Sequence, residues 1–356
     1  MKIIDADCHV WEPSNIWSDY LEPRFGEHVV TAGLTLDGEP IYHKISAGVA
    51  RAGADTRARS YATYGISDYE PPSVVKALGL LGAEMAFLYP SVGGWLLAID
   101  SMDAALAGGF VRAYNNWLRD FVAYDPQILR GVGVINRHAP EEMVPELHRI
   151  SAFGWRAVVM RPNPIKGLLL SDPAYEPFWS ECERLDVAVG LHEGAHARVP
   201  SAGADRFETR FALHACSHPM EQMMALLALV EGGVLERHPR LRVAFLEAGG
   251  GWIPYWLWRL DREYHDLEWE VRGNVTMKPS DYFRRQCFVS IEPTEPYLGP
   301  LIDFIGADNI IIGSDFPHMD HDPNVMKDAI ALEATLSRSV VQKLLWDNPA
   351  RLYSIS

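Results

Sequence analysis

The chain has 356 residues, 48% hydrophobic and 22% charged, a balance that suits a folded globular protein and excludes global disorder. Lys+Arg 32 against Asp+Glu 47 leave a net charge of -15, which argues against nucleic acid or an anionic membrane surface as a partner, because both need a positive face. No apolar run approaches the roughly 20 residues that span a bilayer, and Met1–Asp7 turns acidic too soon for a signal peptide, so a cytoplasmic location is expected.

Short apolar runs alternate with longer amphipathic ones along the chain. The runs at Ile3–Cys8, Met85–Tyr89, Gly131–Ile135, Ala157–Met160, Ala188–Leu191, Arg242–Leu246, Cys287–Ser290 and Ile310–Ile312 read as eight strands. Helical patterns lie between and after them, at Ala104–Ala123, Pro140–Ser151, Ala174–Leu185, Met220–Arg237, Ile253–Leu267, Pro296–Phe304, Pro323–Leu332 and Ser337–Leu345. Strands alternating with helices require parallel β/α crossovers. Eight evenly spaced units favour a closed barrel, and no Gly-x-Gly-x-x-Gly follows a strand to suggest a dinucleotide fold. The expectation is an α/β protein: one domain over residues 1–356, a distorted (β/α)8 TIM barrel. Residues 26–83 break the rhythm and read as a long insertion after strand 1, a lid or wall near the pocket mouth. Four scattered cysteines without a CxxC pair exclude a disulfide framework or thiolate zinc site.

A barrel of this kind places its chemistry at the carboxyl ends of its strands. Those ends carry Asp7-Cys8-His9, Ser91, Asn136-Arg137-His138, Arg161, His192-Glu193, Glu247, Glu292 and Ser314-Asp315. In a strand, residues two apart face the same side, so Asp7 and His9 can chelate one ion together. His192 and Asp315 complete a mixed nitrogen/oxygen set for one divalent metal, Zn²⁺ first, with Mn²⁺ or Fe²⁺ as alternatives. A helix or loop cap is the duller reading of Asp7-x-His9 alone. Glu193, next to His192, points to the other side of the strand and is left outside the metal shell.

The motifs Ile4–Pro13, Glu231–Val243, Phe245–Trp252, Ile311–His318 and Asp347–Tyr353, in this order, resemble the amidohydrolase-related proteins, the branch that includes aminocarboxymuconate-semialdehyde decarboxylase. The resemblance implies a distorted β/α barrel with one divalent metal, and an acidic residue after the last strand, here Asp315, that binds metal and handles protons. One departure is visible: many decarboxylases of this branch carry a His followed by glycines after strand six, whereas this chain has Glu247 before Gly249–Gly251.

The first functional expectation is a metal-dependent hydrolase acting on a small, carboxylated substrate, with Asp315 taking a proton from a metal-activated water and Glu247 assisting, more effectively if burial raises its pKa. The alternative is a non-oxidative decarboxylase or related lyase. A catalytically silent barrel is the third reading, and the presence of Asp7, His9, His192 and Asp315 argues against it. His318 is a further catalytic candidate because it is tethered three residues from Asp315. Arg161 would clamp a substrate carboxylate, with an internal ion pair as the alternative. Trp252 and His218 are candidate substrate contacts, and His196 and His214 weaker ones. The Gly249–Gly251 turn would bring backbone close to the site, and Trp256 and Trp258 are read as core. Arg57 and Arg59 could meet an acidic substrate. Asp347 would cap the last helical turn. A homodimer is the expected oligomeric state.

Overall fold

The computed structural model describes residues 1–31, 35–41, 47–193 and 200–355. Twelve strands occur among these residues. They are β1 (Ile4–His9), β2 (Val30–Thr31), β3 (Thr35–Leu36), β4 (Glu39–Pro40), β5 (Met85–Tyr89), β6 (Leu129–Gly131), β7 (Gly133–Val134), β8 (Ala157–Met160), β9 (Ala188–His192), β10 (Val243–Leu246), β11 (Cys287–Ile291) and β12 (Ile310–Ile312). Three of them, β2, β3 and β4, form a small antiparallel sheet, and the other nine are parallel.

The parallel strands fall into two sheets, ordered β1-β5-β6 and β12-β11-β10-β9-β8-β7. The sheets adjoin at two seams, and these distort the barrel. At one, the third barrel strand breaks at Val132, so that β6 pairs backwards with β5 and β7 pairs forwards with β8. At the other, the end of β12 meets β1. There the Asp315 N–H donates to the Asp7 carbonyl at 2.9 Å, and the His9 N–H donates to the Phe316 carbonyl at 2.8 Å. Gly313 permits this approach, since a Cβ there would stand 2.3 Å from the Asp7 Cβ. Strands β1, β8, β9, β10, β11 and β12 are buried along their whole length, as parallel strands covered on both faces must be.

The stretch 26–83 is more regular than its composition suggests. It contains the small sheet and helices at Ala47–Thr63 and Pro71–Leu81. The second helix buries Val74, Ala77, Leu78 and Leu81 and is the crossover that precedes β5. The first helix has little apolar periodicity, which hides it from a sequence reading. The segment is attached at the catalytic end of the barrel. Tyr69 donates its hydroxyl to the His9 carbonyl, Tyr64 meets His321 Nε2 at 2.7 Å, and the Arg57 guanidinium lies 3.6 Å from the Trp11 ring centroid.

Other expectations need correction. The helix read from Met220 starts at Arg210 and runs through Pro219 to Glu231, with Thr209 as its N-cap. Trp258 is 54% exposed, whereas Trp256 is partly buried against the core. The Gly249–Gly251 turn wraps the Glu295 carboxylate, which accepts the Gly250 and Gly251 N–H groups at 2.9 and 3.1 Å. Asp347 makes no side-chain cap. Its neighbour Asn348 bolts the last helix to the barrel through the Ala307 and Ile310 carbonyls, each at 2.7 Å.

Candidate active site

Asp7 and His9 leave β1 on the same side, His192 ends β9, Glu247 follows β10, and Asp315 and His318 follow β12. The barrel brings all six together. His9 Nε2 lies 3.6 Å from Asp7 Oδ1 and 3.3 Å from Asp315 Oδ1, and His192 Nε2 lies 3.6 Å from Asp7 Oδ1. Within the cluster, Asp7 Oδ1, His9 Nε2, His192 Nε2 and Asp315 Oδ2 are buried and make no hydrogen bond. Buried polar atoms are ordinarily paired; donor atoms of Asp7, His9 and His192 lie within 4.8 Å of one another and Asp315 adjoins them at His9, so these orphans call for a shared partner.

A divalent cation fits them. Donors bonded tetrahedrally to one ion at about 2.0–2.1 Å stand about 3.3–3.5 Å apart, close to the separations seen here. The imidazoles are also oriented for it. His9 Nδ1 is 3.2 Å from the Pro90 carbonyl, and His192 Nδ1 is 3.0 Å from the Glu193 carbonyl. A carbonyl only accepts, so each Nδ1 carries a proton and each Nε2 is the edge turned inward. The local charge demands a cation as well. Burial pushes the Asp7 carboxyl up to about 7. His192, despite burial, is raised to about 9 by the charges of Asp7 and Glu247.

The two acidic groups that follow β10 and β12 behave oppositely. Burial, reinforced by the charges of Glu247, Asp320 and Asp7, holds the Asp315 carboxyl well above its usual range. Burial also opposes ionisation of Glu247, but the imidazoles of His192 and His218 outweigh it and keep that carboxyl well below its usual value. The condition that burial should raise the Glu247 pKa is not met: the carboxyl sits 2.9 Å from His192 Nε2 and 3.5 Å from His218 Nε2. Such divergence between neighbouring carboxyls separates acid from base. Both residues adopt left-handed backbone, with φ of 51° at Glu247 and 54° at Asp315, a conformation non-glycine residues hold mainly where function needs it.

His318 connects Asp315 to a fixed anchor. Its Nδ1 lies 2.6 Å from Asp315 Oδ1 and its Nε2 lies 2.7 Å from Ser91 Oγ. Ser91 donates its own hydroxyl proton to the Val10 carbonyl at 2.7 Å. The Ser91 oxygen must therefore accept from His318 Nε2, which leaves Nδ1 bare toward Asp315. Burial also lowers the His318 pKa, so the proton between the two sits on Asp315. Sequence reading noted Ser91 at a strand end and gave it no role. The His318 ring lies 3.9 Å from the His9 ring and is stacked with Trp95 at 6.4 Å, and Trp95 meets Trp11 edge-on at 5.8 Å.

The remaining candidates lie apart from this centre or in other partnerships. Arg161 is buried with its guanidinium 2.9 Å from Glu193 Oε1, an internal ion pair. Arg137 holds the Arg161 and Asn163 carbonyls at 2.8 and 2.6 Å. Trp252 is buried in the core, edge-on to Phe245 at 5.9 Å. His218 is buried and reaches Glu247, while His214 stacks on it at 4.1 Å. His196 lies outside the described residues.

Comparison with known proteins adds to this geometry. A family model described as amidohydrolase matches residues 90–355. The 2-amino-3-carboxymuconate-6-semialdehyde decarboxylase of Dictyostelium discoideum is 27% identical over 226 residues, 63% of this chain and 59% of that protein. The chain thus spans about three-fifths of that relative's length. A gamma-resorcylate decarboxylase of Polaromonas sp. is 24% identical over 269 residues, 71% of this chain and 79% of that protein. A dihydroxybenzoic acid decarboxylase from Polaromonas sp., solved with bound manganese and the inhibitor 2-nitroresorcinol, superposes with a TM-score of 0.72 at 19% identity, covering 99% of this chain and 97% of the other. That likeness shows the same barrel fold. No helix among the described residues is long and apolar enough to cross a membrane.

Proposed function

The chain belongs to the amidohydrolase family, and on that premise we propose that it is a metal-dependent, non-oxidative decarboxylase of a small carboxylic acid. The substrate is a planar, unsaturated or aromatic acid whose carboxylate adjoins a hydroxyl or carbonyl group. Relatives that are decarboxylases favour this reading over hydrolysis. The observation that carries it is the Asp315–His318–Ser91 line, which keeps a protonated carboxyl beside the donors of Asp7, His9 and His192.

Asp7, His9, His192 and Asp315 would hold the divalent cation, of which manganese in the Polaromonas structure is one instance. When bound, such a cation supplies positive charge that attracts the substrate carboxylate and offsets the charge developing as CO₂ departs. Trp11 and Trp95 offer aromatic faces beside His318 for a flat substrate. Asp315 delivers its proton to the carbon bearing the carboxylate. The C–C bond then breaks, its electron pair stays with the carbon skeleton, and CO₂ leaves. His318, held by Ser91, steadies the Asp315 carboxyl and accepts or returns the proton through Nδ1. Glu247 stays ionised between His192 and His218 and orients them. We read Arg57, Tyr64 and Tyr69 as a wall of the pocket supplied by the insertion.

The test is turnover of hydroxybenzoates and unsaturated acids in D₂O. The expected result is CO₂ release with one deuterium at the former carboxyl carbon. Cleavage of an ester, amide or C–C substrate by addition of water, without CO₂, would overturn the reading.

A further inference from the structure

We propose that Glu12 is a positioning residue for the proton-handling line: it caps the helix after β5 in place of Ser91, and so leaves the Ser91 hydroxyl to His318. The proposal rests on the roles given to Asp315 and His318 above. Glu12 lies three residues past the end of β1, and the short helix Val92–Leu96 follows β5, the strand paired with β1. Glu12 is 4% exposed. Its Oε1 accepts the Ser91 and Gly93 N–H groups at 3.1 and 2.9 Å, and its Oε2 accepts the Val92 N–H at 2.9 Å. N–H groups at the start of a helix have no partner within it, so an outside acceptor must supply one. Gly93 makes room for the carboxylate, since a Cβ there would stand 3.2 Å from Glu12 Oε1 and 2.9 Å from the Tyr114 ring.

Serine at the residue before a helix is ordinarily the cap itself, its oxygen accepting the N–H two or three residues on. Ser91 stands at that position, yet its side chain caps nothing. Its hydroxyl instead donates to the Val10 carbonyl at 2.7 Å, and its oxygen lies 2.7 Å from His318 Nε2. Glu12 holds the nearer of the two N–H groups that Ser91 would cap, that of Gly93, and the two N–H groups before it. Hydrogen bonds to a carboxylate are stronger than those to a hydroxyl, so the competition is one-sided. Glu12 thereby ties the segment after β1 to the turn after β5 and removes the partner that would draw Ser91 away from His318.

The experiment is a double-mutant cycle read in kcat and KM, with crystal structures of the variants. Glu12→Gln, Ser91→Ala and the double variant are loaded with MnCl₂ and assayed with a hydroxybenzoate that the wild type decarboxylates. The amide of Glu12→Gln turns an N–H toward the helix, so at least one cap is lost. Glu12→Gln and Ser91→Ala should each lower kcat by about 3–10-fold, the contribution of one hydrogen bond, with KM little changed. The double variant should be no slower than Ser91→Ala, because the influence of Glu12 runs through the Ser91 hydroxyl. In Glu12→Gln crystals the Ser91 oxygen should have left His318 Nε2 for the N–H groups of its own helix. Losses in kcat that multiply in the double variant, or a raised KM with kcat preserved, would make Glu12 a support for the helix and its Trp95 alone, and overturn the proposal. A Ser91 oxygen still 2.7 Å from His318 Nε2 in Glu12→Gln overturns it too. The crystals need no substrate, so they decide the role of Glu12 even where no acid releases CO₂, a result that defeats the decarboxylase reading alone. Should Glu12→Gln misfold, Glu12→Asp, one methylene shorter, should show the same non-additivity and the same Ser91 displacement. Should both misfold, wild-type crystals decide: a Ser91 oxygen bonded to its own helix, with Glu12 elsewhere, overturns the proposal.

Discussion

Asp315 Oδ1 and His318 Nδ1 stand 2.6 Å apart, and the Ser91 hydroxyl on the far side of the imidazole decides which of them holds the proton. Because Ser91 gives its hydrogen to Val10, His318 must spend its own on Ser91. A neutral His318 can then only accept from Asp315. The acid is thus prepared by three residues from separate parts of the chain, not by Asp315 alone.

Removing either end of this pair should therefore act on chemistry more than on binding. Asp315→Asn should lower kcat by about 10²–10⁴-fold, the usual contribution of a positioned acid. His318→Ala should lower kcat by about 10²-fold while KM changes little, since it leaves Asp7, His9 and His192 in place. Ser91→Ala should be milder and should shift the acidic limb of the kcat–pH profile, because His318 becomes free to change tautomer. Steady-state kinetics across pH checks all three. A rise in KM with kcat preserved would place His318 in substrate binding instead.

Arg161 was a candidate clamp for a substrate carboxylate, and its buried pair with Glu193 predicts a different behaviour. Glu193 is fully buried, and Arg161→Leu would leave its charge without compensation. The expected loss is about 3–5 kcal/mol of folding stability, largely restored in Arg161→Leu/Glu193→Leu. Denaturant titrations measure this. A stable single variant with a raised KM would instead support the clamp.

Glu221 should impose a pH dependence on stability. Burial, with the charge of Glu193 added, pushes its carboxyl up to about 7. Below the ordinary glutamate pKa the group is protonated in folded and unfolded chains alike, and no penalty arises. Between about 4.5 and 7 the unfolded chain ionises first, so the folded state loses stability as pH rises, and above about 7 the loss is complete. Glu221→Gln keeps an acceptor for the Ala202 N–H, now 2.5 Å from Glu221 Oε1. It should leave stability unchanged near pH 4 and raise it by at most about 3 kcal/mol at pH 8. Equal stability of the two proteins at pH 8 would contradict the assignment.

The legible parts of this molecule are those with local period or local position. Parallel strands such as β9, β10 and β12 are unbroken apolar runs because both faces are covered, so they stood out. Asp7 and His9 could be placed together because side chains in a strand repeat every two residues. Strand ends then nominated His192, Glu247 and Asp315. What stayed hidden were contacts between distant segments, which leave no periodic trace: Ser91 with His318, Arg161 with Glu193, and His214 with Asp320. Pro219 hid the last of these further. Read as a helix boundary, it left His214 and His218 on a loop, whereas the helix passes through it and stacks them. The sign of the Glu247 shift was equally out of reach, since it depends on two imidazoles that only the folded barrel brings near.

The account depends most on Asp7, His9, His192 and Asp315 sharing one ion, and anomalous diffraction at the manganese edge from MnCl₂-soaked crystals tests that directly. The account predicts a strong peak within about 2.0–2.3 Å of a donor atom from each of the four residues. A map in which no peak lies within bonding reach of all four would contradict it.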